Sequence, residues 1–305
     1  MITQHTARLI AFVAAPLALA NVTHAHAQPA PAAPAAAQAA ATVLPHISIT
    51  TMGRGSPVVL IPGLSSPREV WAGVAPQIAR NHRVILVQVN GFGGDAPGAN
   101  LQPGLLDGVV TDLNGYLASQ HLGPVDVIGH SMGGLLALMM AKAHPQAVHR
   151  LMVVDSLPWI GTLFGPTLTV AQVEPQARAM RDQMAAVYGS ATNPSADATA
   201  ARLALKPESR AQVAAWVNHA DARVTAQAFY ADMTTDLRPA MAAIATPITL
   251  VYPGTGGADD QGAALYRAAY AQAPHVTYVP VADSAHFIML DQPAAFAAAV
   301  QSFLN

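Results

Sequence analysis

The run Gly129-His130-Ser131-Met132-Gly133, extended by Gly134, is the part of this chain best suited to chemistry. It directly follows the apolar strand-like segment 125–128 and directly precedes a segment with helical spacing of apolar residues, 133–143. In that context a G-x-S-x-G run is a very tight strand-to-helix turn. The turn forces its serine into a strained backbone conformation and pushes the hydroxyl out. Glycine two residues before and two after is required because a side chain there would meet neighbouring backbone. The helix that begins here aims its free N–H groups and positive dipole end toward developing negative charge. Ser131 is therefore a candidate nucleophile.

The elements needed to hold such a serine are present. Residues 46–52 alternate as a strand, and 58–61, 84–89, 125–128, 151–154, 248–252 and 276–279 are short apolar runs bounded by Gly, Pro or polar residues. Strands apolar on both faces belong to a parallel sheet covered by helices. The segments 105–121, 133–143, 263–273 and 294–304 carry helical spacing between them. The expected fold class is α/β, a doubly wound, mostly parallel sheet. From about 157 to 243 no strand is evident, while helices are expected around 173–188 and 211–233. That stretch reads as a helical cap over one end of the sheet.

From about Ile47 onward the chain resembles the α/β-hydrolase fold family, and several motifs match in order. Beside the serine motif, Ile61-Pro62-Gly63-Leu64-Ser65-Ser66 resembles the family's His-Gly loop after the third strand, with Pro62 where histidine is usual. The resemblance implies an oxyanion hole built from the backbone N–H groups of Leu64 and Met132. Asn90-Gly91-Phe92-Gly93-Gly94-Asp95 resembles the family's glycine-rich turn near the active site, for which a shaping role is expected. The chain has 12 histidines, and the resemblance selects His286, in the loop after the last strand, as the base. His130 is expected to shape the elbow; His144, His149 and His275 read as surface residues. The acid is open among three aspartates. Asp259, after strand 248–252, is preferred; Asp260 beside it and Asp155 at the tip of the preceding strand are the alternatives.

The implied chemistry is cleavage of a carboxylic ester through an acyl-enzyme. A lactonase, a C–C hydrolase, an amidase or a perhydrolase could use the same residues, and a silent member could simply bind a small molecule. A serine at the elbow argues against the dehalogenases and epoxide hydrolases that place a carboxylate there. No cofactor is expected, and no metal, since the histidines and carboxylates lack ligand spacings such as H-E-x-x-H.

Composition narrows the partners. Of the 305 residues 52% are apolar, enough for a large core, and 10% are charged, with a formal net charge of −2 and no basic block. Nucleic acid is excluded as an expected partner, and a small neutral or apolar acyl substrate suits such a surface. Oligomeric state is not legible. Residues 1–27 read as a signal peptide. His5 and Arg8 precede an apolar run, 9–20, too short for a permanent membrane span, and Ala25-His26-Ala27 offers the small residues of a cleavage site. Residues 28–45 read as a Pro/Ala-rich linker and 46–305 as the hydrolase domain with its cap. Export to the periplasm or medium is expected. The chain has no cysteine, which excludes a lipid anchor at that position and any disulfide.

Overall fold

The computed structural model describes residues 41–257 and 260–305. Residues 1–40, which hold the expected signal peptide and most of the expected linker, and Asp259 lie outside the described residues. Eight strands form one sheet: β1 (Thr42–Val43), β2 (Ile47–Met52), β3 (Ser56–Ile61), β4 (His82–Val89), β5 (Val125–His130), β6 (Val148–Val154), β7 (Ile248–Pro253) and β8 (Val276–Val281). Their order is β1-β2-β4-β3-β5-β6-β7-β8. The β1–β2 and β2–β4 pairs are antiparallel, and every later pair is parallel. The folded unit starts before residue 46, where the sequence places its boundary: Thr42 pairs with Ile49 and Val43 with Ser48. A hydrogen bond of 2.8 Å from Leu44 N–H to Ile47 C=O closes this hairpin.

The apolar strands are buried on both faces, as their unbroken hydrophobicity demands. Val59, Ile61, Val127, Leu151 and Val153 pack with the helices Leu105–Ser119 and Met132–Ala143. Their neighbours Val58, Leu60, Ile128, Met152 and Val154 point the other way, against Trp71 and the terminal helix Pro293–Leu304. Alternate residues of one strand thus belong to two cores, which makes the sheet a rigid platform whose C-terminal edge holds the functional loops.

Between β6 and β7 the described chain holds four α-helices: Val170–Ala185, Ala196–Leu203, Pro207–His219 and Ala222–Thr234. The helix expected across 211–233 is two helices. The break falls at Ala220 and Asp221, where the extended Asp221 carboxylate accepts the N–H of Arg223 and caps the second helix. The same break docks on the glycine-rich turn. Asp221 N–H donates to Gly91 C=O at 2.7 Å, and Gly94 N–H donates to His219 C=O at 3.1 Å. The first and last cap helices share a small core of Trp159, Val173, Ala177, Met180, Phe229 and Met233. Trp159 Nε1–H is tied to Met233 C=O at 2.8 Å.

Candidate active site

Register places the site. In the β5–β6 pair His130 lies opposite Val154, the last residue of its strand. Ser131 N–H continues the ladder to Val154 C=O at 2.9 Å, and Asp155 N–H does the same to Val251 C=O at 2.8 Å. Ser131 and Asp155 therefore stand side by side where two parallel strands end.

Ser131 has φ 56° and ψ −125°, a conformation rare for a non-glycine residue. The neighbouring glycines let it exist. A Cβ on Gly133 would lie 2.2 Å from Ile61 O, and one on Gly129 would lie 2.1 Å from Gly133 O. The helix Met132–Ala143 starts at once, so the Met132 N–H belongs to a first turn without intrahelical partners. The 62–64 loop closes against the same point, since a Cβ on Gly63 would lie 2.9 Å from Ser131 Cβ.

His286, in the loop after β8, meets Asp155: Nδ1 to Oδ2 is 2.7 Å, with the histidine side chain 10% exposed and the carboxylate fully buried. This contact fixes the tautomer with the proton on Nδ1 and leaves Nε2 as the basic nitrogen. Tyr266 donates its hydroxyl to the other oxygen, Asp155 Oδ1. Burial first, and the Asp155 charge second, push Tyr266 well above the usual phenol range, so it stays a donor. Tyr270 donates to Ser156 C=O at 2.9 Å and braces the same corner. The Asp155 backbone has φ 46°, a left-handed turn that aspartate tolerates better than most residues.

The His286 loop is fixed from two sides. His130 is buried, and its Nε2 donates to His286 C=O at 2.9 Å. Burial, and then the His286 charge, hold His130 well below the usual imidazole range, so it is a neutral prop. Asp291, wholly buried, accepts the N–H groups of Ala285 at 3.0 Å, Leu205 at 3.0 Å and Lys206 at 3.3 Å. It pins both the histidine loop and the cap crossing.

Of the three aspartates the sequence left open, Asp155 is the one on His286. Asp260 caps the helix Gln261–Ala269, accepting Ala263 N–H at 3.0 Å and Gly256 N–H at 2.8 Å. Four backbone amides hold its carboxyl below the usual carboxylate range against the opposing effect of burial. Asp259 lies outside the described residues. Tyr266 and Asp291 belong to no motif and were not legible in the sequence.

Ser131, His286, Asp155 and Leu64 line one cavity of about 420 Å³ between sheet edge and cap, a size suited to a small organic ligand. Its far wall is mostly apolar, with Leu157, Leu163, Met180, Met184, Trp216 and Phe229. Among the described residues no cluster of three His, Asp or Glu is placed to hold a metal ion, and no helix is long and apolar enough to cross a membrane.

A family model described as "Alpha/beta hydrolase family" matches residues 58–299. The chain belongs to this family. Solved structures show the shared fold of this α/β-hydrolase. An enol-lactonase from Burkholderia xenovorans LB400 superposes with TM-score 0.68 at 19% identity, covering 85% of this chain and 96% of that one. A thermophilic esterase from Thermogutta terrifontis gives 0.72 at 19% identity, covering 87% and 98%. In sequence, the pimeloyl-[acyl-carrier protein] methyl ester esterase of Aeromonas hydrophila is 34% identical over 113 residues, 37% of this chain and 42% of that protein. The 2-hydroxy-6-oxo-2,4-heptadienoate hydrolase of Pseudomonas putida is 34% identical over 109 residues, 35% of this chain and 39% of that protein. The matched segments thus span about two fifths of these relatives.

Proposed function

We propose that this α/β-hydrolase is a serine hydrolase of carboxylic esters, with Ser131 as nucleophile, His286 as base and Asp155 as the acid that orients it. The observation that carries the reading is the His286 Nδ1–Asp155 Oδ2 contact of 2.7 Å in the cavity of a strained, helix-initiating serine. Ser131 Oγ attacks the ester carbonyl carbon while His286 Nε2 takes its proton. Asp155 holds the imidazolium that results. The N–H groups of Leu64 and Met132 receive the oxyanion, and the Gly63 approach to Ser131 supports this assignment. Collapse expels the alcohol, which leaves with the proton from His286. A water then attacks the acyl-enzyme, gives its proton to His286 and releases the acid, and Ser131 regains its hydrogen. The relatives include a named esterase and a named dienoate hydrolase at equal identity, so they support hydrolysis without choosing between ester and C–C cleavage.

Outside the chemistry, the basic start, short apolar run and Ala25-His26-Ala27 support export, with Gln28 as the mature start. Mass determination of the protein recovered from periplasm and medium checks that start.

The deciding experiment is labelling with a fluorophosphonate, alongside hydrolysis of nitrophenyl esters. Wild type is expected to label and turn over, Ser131→Ala to do neither, and His286→Ala to label far more slowly. A folded wild type that neither labels nor hydrolyses overturns the reading.

A further inference from the structure

Asp232 sits on the cap helix Ala222–Thr234 and lines the same cavity as Ser131 and His286. It is 7% exposed, and among the described residues its carboxyl makes no hydrogen bond or ion pair. Its helical neighbours on the cavity side are Thr225, Phe229 and Met233, at the spacing of a stripe that packs inward. An apolar residue would cost nothing there. Leaving a carboxyl buried and unpaired is strongly unfavourable if it ionises.

The other deeply buried aspartates of the described chain are all partnered. Asp126 meets Arg150 and His149, Asp155 meets Tyr266 and His286, and Asp291 takes three backbone amides. Asp232 is the exception, and its open side is the cavity. Burial lifts it to about 7, with the His286 charge the single opposing influence. No lysine or arginine lines the cavity among the described residues, and its basic side chains are the histidines His130 and His286. A ligand that donates a hydrogen bond would complete Asp232, and a cationic donor would also compensate its charge.

We propose that Asp232 is the polar anchor of the pocket and that it selects substrates presenting a hydrogen-bond donor, a hydroxyl or an ammonium, over substrates carrying a carboxylate. This rests on the cavity being the substrate site of the hydrolase proposed above. Asp232 is a specificity residue; it takes no part in bond cleavage.

The test measures binding without turnover. Calorimetry on Ser131→Ala protein at pH 8 compares 3-phenylpropylamine, 3-phenylpropanol and 3-phenylpropanoate, which differ only in the terminal group. The amine and the alcohol are expected to bind at least about tenfold more tightly than the carboxylate, each tenfold being about 1.4 kcal/mol. Adding Asp232→Asn should remove the amine's lead over the alcohol, and adding Asp232→Leu should weaken both. Equal or tighter binding of the carboxylate to Ser131→Ala overturns the proposal, whether or not the Asp232 variants fold. An order unchanged in variants shown to melt cooperatively overturns it as well. Nitrophenyl ester turnover by the wild type reports separately on the hydrolase reading, so either can fail alone.

Discussion

Replacing Asp232 by asparagine should make the protein more stable at alkaline pH, by an amount that grows with pH. The carboxyl rises from an ordinary 3.8 to about 7 in the folded state. Between those values the folded protein holds a proton that the unfolded chain has released, so stability falls as pH rises. The full contribution is present below about 4 and is gone above about 7. At about 1.4 kcal/mol per pH unit the ceiling is about 4 kcal/mol. About 3 kcal/mol of it is lost between pH 5 and 8.5, and relaxation of the cap toward water would trim that to about 2. The asparagine side chain cannot titrate, while His286, Asp155, His130 and Tyr266 around the cavity remain in both proteins, so the difference reports Asp232 together with its charge coupling to His286. Urea unfolding of wild type and Asp232→Asn at the two pH values gives it directly. The variant should gain about 2 kcal/mol relative to wild type on going to pH 8.5. A difference that stays within about 0.5 kcal/mol would mean the carboxyl is solvated in the native protein, against the burial described above.

Other perturbations separate roles that share a location. Asp155→Asn should cut kcat on nitrophenyl esters by on the order of 10³–10⁴-fold with the fold intact, because the imidazole loses the partner that fixes its tautomer. Asp260→Ala should leave kcat within about threefold but lower stability by about 1 kcal/mol, the worth of a helix cap, read by urea titration. Tyr266→Phe should lower kcat more than it alters KM and should shift the basic-nitrogen limb of the kcat/KM pH profile, because one oxygen of Asp155 loses its donor. An unchanged profile would make Tyr266 packing alone.

What could be read from the sequence follows from how local each constraint is. The elbow is legible because Gly129 and Gly133 answer to backbone atoms a few residues or one strand away, so residue type and spacing carry the requirement. The parallel sheet is legible because its strands are apolar on both faces. The acid was not, since Asp155, Asp259 and Asp260 all follow strand ends. Which one reaches His286 depends on a left-handed turn at Asp155 and on a loop arriving from β8. The split in the 211–233 helix was obscured by apolar spacing that runs on through Ala220, although an aspartate at the start of the second helix is an N-cap signal. Asp291 and Tyr266 act through partners far away in sequence, and no local pattern encodes that.

The placement of Asp155 at the very end of β6 has a consequence for engineering. The residues proposed for catalysis, together with Tyr266 and Asp291, all lie outside the cap, whereas Asp232, Thr225 and most of the apolar wall lie within it. The chain from Pro158 to Pro247 is therefore a cassette. Exchanged for another helical insert, it would present a new pocket to an unaltered reaction centre, provided its seams with the sheet domain are kept. Among these are the Phe287 N–H to Leu203 C=O bond, the grip of Asp291 on Leu205 and Lys206, the docking of Asp221 on Gly91 and of His219 on Gly94, and the Ser65–Thr225 hydroxyl pair.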